Sequence, residues 1–441
     1  MDSNVKDRDQ FASKWGFILA CIGSAVGMGN IWLFPFRVGQ FGGAAFLIPY
    51  FIFVALIGYT GVVEEMCFGR AMRTGPHGAF TKATESRGSN VGNVIGWIPV
   101  IGSLGIAVGY TVVVGWIIRF TVGAFDGSML GAQDNGAYFG AIAGSYGSLI
   151  WHVIAIVLTA VIMIAGVASG IEKVNKVMMP TFFVLFIILV IRAATLNGAM
   201  AGYEFMFKAD FSKLGDIKTW VFALGQAFFS LSLAGSGTVV YGSYLSDKEN
   251  APDSAKYTAV FDTLAAMLAA LVIIPSVFAY GIEPSAGPPL MFITMPMVFK
   301  QMPAGSIFAI IFFVAVLFAG ITSLINLYET PIELLQQKFK MNRITSVITV
   351  LVIGFVAGIF LEDGNSLGKW MDIVSIYIIP LGALLAGIMF FWVCSKEFAM
   401  AEVNKGVVNP LGDGYYNMGK YVYCGVTVAV YIFGIFFGGI G

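Results

Sequence analysis

Long apolar stretches recur along the whole chain, and they constrain its fold more than any other feature. In a helix, about 20 apolar residues cross the roughly 30 Å hydrocarbon core of a bilayer. Hydropathy places eleven such stretches, with no soluble domain or long linker between them. Their approximate bounds are 14–37, 41–70, 91–124, 147–169, 175–196, 219–245, 257–282, 304–338, 344–361, 368–395 and 419–440. The chain is therefore predicted to be an all-α integral membrane protein.

The composition indicates that lipid is the main solvent. Of the 441 residues, 58% are hydrophobic and only 11% are charged, whereas a soluble domain carries about a quarter charged residues. The net charge is zero, which gives no support for a nucleic-acid partner. The two histidines, His77 and His152, lie far apart in the chain, so a histidine-based metal site is not expected. The partner that the composition requires is a lipid bilayer.

The basic residues predict the orientation. Of the 25 Lys and Arg residues, 17 fall on the side that carries the N-terminus, and the segment 126–146 on the other side contains none. Because Lys and Arg are enriched in cytoplasmic loops, the N-terminus is predicted to be cytoplasmic. An odd number of spans then places the C-terminus outside.

Two spans carry glycine and polar residues at their centres. The first reads GFILACIGSAVGMGNIWLFPF, and the sixth reads FFSLSLAGSGTVVYGSY. Small residues also let membrane helices approach closely, but that explains one or two glycines in a span rather than a cluster in both. Broken helices at corresponding positions are typical of an inverted repeat, here of five plus five spans. Because non-helical backbone at this depth is tolerated where it lines a cavity, the breaks predict a binding site.

The polar side chains near the breaks are hydroxyls and amides, namely Asn30, Ser230, Ser232, Thr322 and Ser323. Oxygen ligands without thiolates or imidazoles suit a hard cation, and a site with little charge favours a monovalent one. Freed N–H groups at the start of a half-helix suit a carboxylate. The alternative for Thr322 and Ser323 is hydrogen bonding between helices.

Asp262 carries the strongest signal of any single residue. It lies in the apolar stretch YTAVFDTLAAMLAALVIIP, which contains no basic residue. A carboxylate at this depth is costly unless it is paired or binds an ion, so Asp262 predicts a functional site. The alternative is a position near the interface that the adjoining loop keeps wet.

Four segments together resemble the neurotransmitter:sodium symporter family, in particular its bacterial amino-acid transporters: KWGFILACIGSAVGMGNIWLFPF, GGAAFLIPY, GQAFFSLSL and FAGITS. The resemblance covers nearly the whole chain and implies one transporter domain, 1–441, in a bacterial inner membrane. It implies a 5+5 inverted-repeat fold with discontinuous first and sixth helices. The repeats would be 14–196 and 219–395, followed by an additional helix at 419–440.

The resemblance implies two sodium ions as co-transported ligands and no other cofactor. Site one would use the Ala25 carbonyl, Asn30, Ser230 and the carboxylate of the substrate. A seventh-span side chain should complete it; the family's Asn aligns without gaps with Phe261, and the adjacent Asp262 is assigned this role. Site two would use the carbonyls of Gly23, Val26 and Ala319 and the hydroxyls of Thr322 and Ser323.

The implied substrate site lies between the two breaks. The substrate carboxylate would meet backbone N–H groups of the first break and a tyrosine hydroxyl, and its side chain would enter an apolar pocket. The predicted substrate residues are Ala25, Gly27, Met28, Gly29, Ile106, Tyr110, Phe229, Ser230, Ser232, Gly235, Ser323 and Leu327.

The gates depart from the family pattern. Leu33 stands where relatives carry the outer-gate Arg, so Arg37, about one helical turn later, is predicted to pair with Asp372. Arg8 is predicted to be the inner-gate Arg, but the position of its usual acidic partner holds Gln337. The inner closing pair is therefore left open.

The predicted function is sodium-coupled symport of hydrophobic L-amino acids into the cell by alternating access. Gly235 aligns where relatives carry a bulky aromatic residue, so aromatic as well as branched aliphatic amino acids are expected. Charged ones are not, because an apolar lining offers a charge no partner. Asp262 supplies the fixed negative charge that some relatives take from bound chloride, which predicts independence from chloride.

Two other functions, a membrane enzyme and a channel, would each need a sequence pattern of its own. A membrane enzyme would need a nucleophile with a base or a metal cluster, and a channel would need rings of polar residues along a pore. The spans show neither pattern.

The start of the fifth span has two interpretations. In GIEKVNKVMMP, Gly170 and Pro180 bracket either a loop that ends at the proline or a turn that unwinds to release sodium.

Overall fold

The structure is a computed structural model and describes residues 9–208, 210–233, 237–282 and 287–439. Every regular element in these ranges is a helix. In hydrocarbon the backbone must satisfy its own N–H and C=O groups, and a helix does so within one segment. The predicted all-α membrane fold is confirmed.

The spans follow the predicted order. Within the described ranges, seven helices are long and apolar enough to cross a membrane: Ala44–Met72, Val91–Phe125, Val167–Ala194, Ala251–Ala279, Gly305–Lys338, Gly364–Val393 and Asp413–Phe437. The first span is a bent pair, Lys14–Ala25 and Gly29–Gln40, whose axes differ by 55°. The fourth and ninth are the shorter apolar helices Leu149–Ile164 and Arg343–Ile359. The sixth consists of Ile217–Ser230 and Gly237–Ser243. Shorter connecting helices include Pro76–Glu85, Asn135–Ile142, Ala199–Phe207, Met295–Gln301 and Lys396–Val403.

The first and sixth spans are discontinuous, as predicted. In the first, Val26 leaves the helix with φ −70° and ψ 105°, and helical backbone resumes at Gly29. In the sixth, Ser230 ends the helix and Ser232 adopts a φ of 55°. That left-handed conformation is uncommon for a residue other than glycine. Strained backbone of this kind is concentrated at binding sites, where the surroundings hold it in place.

The fifth span begins earlier than predicted. Hydropathy started it at 175, whereas helical backbone begins at Val167, directly after Gly166, whose φ is 87°. Pro180 therefore lies inside the helix, and the alternative of a loop ending at this proline is wrong. The charged residues Glu172 and Lys173 lowered the hydropathy of a turn that is nevertheless helical.

One end of the bundle, which we call the amino-terminal face, carries Ser13; the other end, the opposite face, carries Asp126. At the amino-terminal face the Glu172 carboxylate accepts hydrogen bonds from the Ala12 N–H at 2.6 Å and the Ser13 hydroxyl at 2.8 Å. The Phe11 ring packs edge-on against Tyr241, with ring centroids 5.5 Å apart. The start of the first span is thus tied to the fifth and sixth spans.

The second span touches the second half of the sixth span backbone to backbone. A Cβ atom on Gly69 would overlap the Val239 carbonyl oxygen, and one on Gly242 would overlap the Met66 carbonyl oxygen. Small residues at helix contacts are how membrane helices gain close packing. These two glycines are therefore required by the contact.

Candidate functional site

A cavity of about 590 Å³ lies where the breaks of the first and sixth spans face each other. It extends to the opposite face, where the exposed residues Asn365 and Asp372 line it. Gly235 lies outside the described residues. The other predicted substrate residues all line the cavity: Ala25, Gly27, Met28, Gly29, Ile106, Tyr110, Phe229, Ser230, Ser232, Ser323 and Leu327.

Backbone donors and a tyrosine hydroxyl meet at the break of the first span. The Met28 N–H donates to the Tyr110 hydroxyl at 3.0 Å, and the Gly27 N–H donates to Asn30 Oδ1 at 3.1 Å. A Cβ atom on Gly27 would lie 2.7 Å from the Tyr110 hydroxyl oxygen, so this approach needs glycine. Because the amino-terminal end of a helix carries partial positive charge, this group of donors suits a carboxylate.

Asp262 lies at the centre of a buried polar cluster beside that break. Its Oδ1 accepts from Asn30 Nδ2 at 2.7 Å, and its Oδ2 accepts from the Ser230 hydroxyl at 2.6 Å. Asn30 Nδ2 also donates to Ser230 Oγ at 3.1 Å. All three residues are buried. The first, sixth and seventh spans therefore contribute one side chain each to a cluster rich in oxygen atoms.

The structure distinguishes Asp262 from its neighbour Phe261. The Phe261 ring packs against Phe183 of the fifth span, with centroids 5.5 Å apart. Adjacent residues on a helix point about 100° apart, so only one of the two can face Asn30. The side chain from the seventh span in this cluster is that of Asp262.

The residues predicted for the second sodium meet between the first and eighth spans. A Cβ atom on Gly23 would lie 2.9 Å from Thr322 Cβ, so the two helices are in contact there. The Ser323 hydroxyl donates to the Ser24 carbonyl at 3.3 Å, two residues before Val26. The Thr322 hydroxyl donates to the Ala319 carbonyl at 3.2 Å, within its own helix. Hydroxyl and carbonyl oxygens of two spans are thus gathered beside the break.

Two polar residues of the cavity region, Gln226 and Asn326, are not among the residues predicted from the sequence. Gln226 lies one turn before Ser230, and its Nε2 donates to the Gly29 carbonyl at 3.2 Å. Asn326 lines the cavity and donates to the Gly237 carbonyl at 3.4 Å. Each lies three or four residues from a predicted site residue, a spacing that places side chains on one helix face. That spacing is the signal by which they could have been found.

Arg37 and Asp372 are not joined in an ion pair. Arg37 Nη1 donates to Gln40 Oε1 at 2.8 Å, and its guanidinium lies 4.3 Å from the centroid of the Phe222 ring. Asp372 lines the cavity at the opposite face. The outer-gate pair stays a prediction for a state in which that end of the cavity is closed.

At the amino-terminal face the eighth span carries, besides the buried Glu333, a second buried acid, Glu329, two turns before Gln337. It accepts bonds from the Arg343 guanidinium at 2.6 and 2.8 Å and from the Tyr244 hydroxyl at 2.7 Å. Arg8, the predicted inner-gate residue, lies outside the described residues. Glu329 therefore links the eighth and ninth spans to the sixth.

Comparisons with known proteins identify the family of this chain. The model of the sodium:neurotransmitter symporter family matches residues 8–140 and 138–438. The chain is 37% identical over 412 residues to YhdH, a sodium-dependent transporter of Bacillus subtilis, covering 90% of each protein. It is 30% identical over 458 residues to a sodium-dependent transporter of Haemophilus influenzae, covering 99% of this chain and all of the relative.

A solved structure shares the fold. The crystal structure of MhsT in complex with L-phenylalanine superposes with a TM-score of 0.87 and 34% sequence identity, over 96% of this chain and 99% of MhsT. The resemblance inferred from the sequence motifs is confirmed. This chain belongs to the sodium:neurotransmitter symporter family and is a sodium-dependent membrane transporter.

Proposed function

We propose that this transporter carries hydrophobic L-amino acids, aromatic and branched aliphatic, into the cell together with sodium. The observation that carries the proposal is that one cavity is lined both by polar groups, which we call its polar end, and by apolar side chains, which we call its apolar end. Gly27, Met28 and Tyr110 form the polar end, whereas Ile106 and Leu327 are among the apolar lining residues. A zwitterion with an apolar side chain matches both ends. The similar protein MhsT was solved with such a ligand, L-phenylalanine.

Two sodium ions accompany the substrate in this proposal. The first binds Asp262, Asn30, Ser230 and the Ala25 carbonyl together with the carboxylate of the substrate. The second binds the carbonyls of Gly23, Val26 and Ala319 and the hydroxyls of Thr322 and Ser323. The hydrogen bond from the Ser230 hydroxyl to Asp262 supports the first site, because it holds hard oxygen atoms close together. The Asn30 amide lies beside them and donates to Asp262.

Transport proceeds by alternating access, with residues 14–196 and 219–395 as the two inverted repeats and 419–440 outside them. The protein lies in the bacterial inner membrane, with its N-terminus in the cytoplasm and its C-terminus outside. The distribution of Lys and Arg supports this orientation. The cavity, which reaches the opposite face, is then open toward the outside.

Competition for uptake tests the substrate class. Purified protein in liposomes should concentrate labelled L-phenylalanine when sodium is higher outside, and tryptophan, leucine and isoleucine should compete. Lysine and glutamate should not, because a side-chain charge in the apolar end would be unpaired. Efficient uptake of either charged amino acid would contradict the proposal.

Gly235 provides a second test of the same pocket. Gly235→Phe adds a ring where the substrate side chain is proposed to end, so competition by tryptophan should weaken much more than competition by valine. A matched control is Gly412→Ala, in a loop where an added Cβ meets no atom within 4 Å. Equal effects on both amino acids would show that residue 235 does not border the substrate.

A channel is the competing function. A channel lets solute flow down its gradient, so the amino acid inside the liposomes would never exceed the concentration outside. Accumulation above that level, driven by a sodium gradient and abolished by a sodium ionophore, distinguishes the symporter from the channel.

A further inference from the structure

The fifth span carries a buried amide that the proposed sites do not use. Asn175 has no solvent-exposed surface. Its Nδ2 donates to the Ile171 carbonyl at 2.8 Å, one turn earlier in the same helix. Its Oδ1 has no hydrogen-bond partner among the described residues. A buried acceptor without a partner is costly, and native structures contain few of them.

The unpartnered oxygen lies at the proposed second sodium site. A Cβ atom on Gly23 would overlap Asn175 Oδ1, and the same Cβ atom would lie 2.9 Å from Thr322 Cβ. The oxygen is therefore adjacent to residues of both helices that supply the other ligands. The bond from Nδ2 to the Ile171 carbonyl fixes the amide so that its oxygen, rather than its nitrogen, faces this contact.

We propose that the Asn175 carboxamide oxygen is a further ligand of the second sodium ion, either directly or through one water molecule. This inference rests on the proposed function, which supplies the other five ligands. Asn carbonyl oxygens are common ligands of hard cations. Occupation of the site by sodium would satisfy an oxygen that the protein alone leaves unsatisfied.

The position of Asn175 on the fifth span gives the ligand a second consequence. The residue lies between Gly170 and Pro180, on the segment that is predicted to unwind during release. Its amide is held by the Ile171 carbonyl of the same turn. Unwinding of that turn would withdraw the oxygen from the ion, so that release of sodium and opening of the fifth span become one event.

The test is sodium binding without amino acid, because the first site also needs the carboxylate of the substrate. Asn175→Leu keeps the volume of the side chain and removes the oxygen, whereas Asn175→Asp keeps an oxygen. The matched control is Thr181→Ala, which removes another side-chain bond to a backbone carbonyl four residues earlier in the same helix. Binding of radioactive sodium and sodium-dependent thermal stabilisation are measured for each variant.

We expect Asn175→Leu to raise the half-saturating sodium concentration at least about tenfold, a loss typical of removing one partner from a metal site. Asn175→Asp should retain sodium binding, and Thr181→Ala should match the wild type. Folded Asn175→Leu that binds sodium like the wild type would overturn the inference. If the leucine variant does not fold, a folded Asn175→Asp protein without sodium stabilisation would overturn it equally.

The outcome also separates this inference from the proposed function. Wild-type protein that takes up amino acids without any dependence on sodium would refute both. Wild-type protein that requires sodium, together with unchanged sodium binding in Asn175→Leu, would refute the role of Asn175 alone.

Discussion

At the scale of single residues, Asp262 determines the electrostatics of the site. It is fully buried, and each of its carboxylate oxygens accepts one hydrogen bond from a neutral donor. Such bonds reduce the cost of burying a charge without cancelling it, and a nearby cation offsets the rest. In the proposed function that cation is the first sodium, so the protein itself supplies the compensating negative charge.

This charge predicts that transport does not need chloride. Sodium-driven uptake should be the same in chloride and in gluconate. Asp262→Asn should raise the half-saturating sodium concentration at least about tenfold, because an opposite charge near 4 Å contributes a few kcal/mol at an effective dielectric constant of about 20. Uptake rates in the two salts measure both effects.

A suitable control is Asp363→Asn, which also removes one negative charge but lies at a helix start outside the cavity lining. A wild-type protein that stops transporting in gluconate would show that Asp262 has a different role.

The sequence could identify Asp262, because a carboxylate in an apolar span is conspicuous, and the depth of the residue proved a better guide than ungapped alignment, which pointed to Phe261. Asn175 could not be identified in the same way. An amide in a span is ordinary when it bonds its own helix, and only the approach of Gly23 and Thr322 shows what its oxygen faces.

At the scale of elements, the first turns of the fifth span combine several functions. Glu172 holds the start of the first span, Asn175 faces the proposed second sodium, and Pro180 lies inside the helix. Since proline has no N–H, the Lys176 carbonyl lacks its usual partner at position 180. This turn is therefore held by fewer backbone bonds than its neighbours.

Pro180→Ala should slow transport by restoring the missing helical bond. Proline inside a helix costs about 3 kcal/mol, so its removal makes unwinding harder. Turnover in liposomes should fall severalfold while substrate binding stays at the wild-type level. Gly170→Ala is a poorer test, because its Cβ atom would overlap the Ile162 carbonyl oxygen and disturb the fold.

Val184→Ala, at an exposed position of the same helix, controls for a general loss of packing. Unchanged turnover in the Pro180→Ala protein would mean that this turn does not unwind during the rate-limiting step.

Glu172→Ala should loosen the start of the first span. The substitution removes the acceptor of the Ala12 N–H and the Ser13 hydroxyl, a loss of about 1–2 kcal/mol. The first half of the span should then detach more often at the amino-terminal face. In a protein whose other three cysteines are replaced, maleimide labelling of the buried Cys21 should accelerate.

Lys176→Met is the matched control, because it removes only the exposed partner of Glu172, and exposed ion pairs contribute little. Equal labelling rates in Glu172→Ala and wild type would show that Glu172 does not hold the start of the first span in place.

The sequence predicted the apolar helices in their order and the two breaks, because both depend on local composition. The boundaries of the spans were harder to predict. The fifth span was placed too late because its first turns are charged, yet Glu172 is satisfied by the first span rather than by water. A contact between segments distant in the chain cannot be derived from hydropathy.

At the scale of the whole molecule, the cavity reaches the opposite face, while aromatic packing and the Glu329 bonds join the helices at the amino-terminal face. Closure of the opposite face would bring its lining together. Arg37 and Asp372 are the charged pair predicted to meet there.

A double-mutant cycle of Arg37→Gln and Asp372→Asn tests that meeting. The two side chains should be coupled by up to about 1 kcal/mol in transport, as expected for an exposed ion pair. They should show no coupling in the thermal stability of the substrate-free protein, where Arg37 bonds Gln40 and lies over Phe222 instead. Additive effects on transport would remove this pair from the gate.

The glycine contact between the second span and the second half of the sixth has a mechanical consequence. With backbone against backbone at Gly69 and Gly242, there are no flexible side chains between the two segments to absorb a displacement. A tilt of one segment is therefore transmitted directly to the other. The helix of the sixth span ends at Ser230 and a second helix starts at Gly237, so the second half can move as a unit with the second span. A bulkier residue at either glycine should hinder this movement rather than weaken the binding of any ligand.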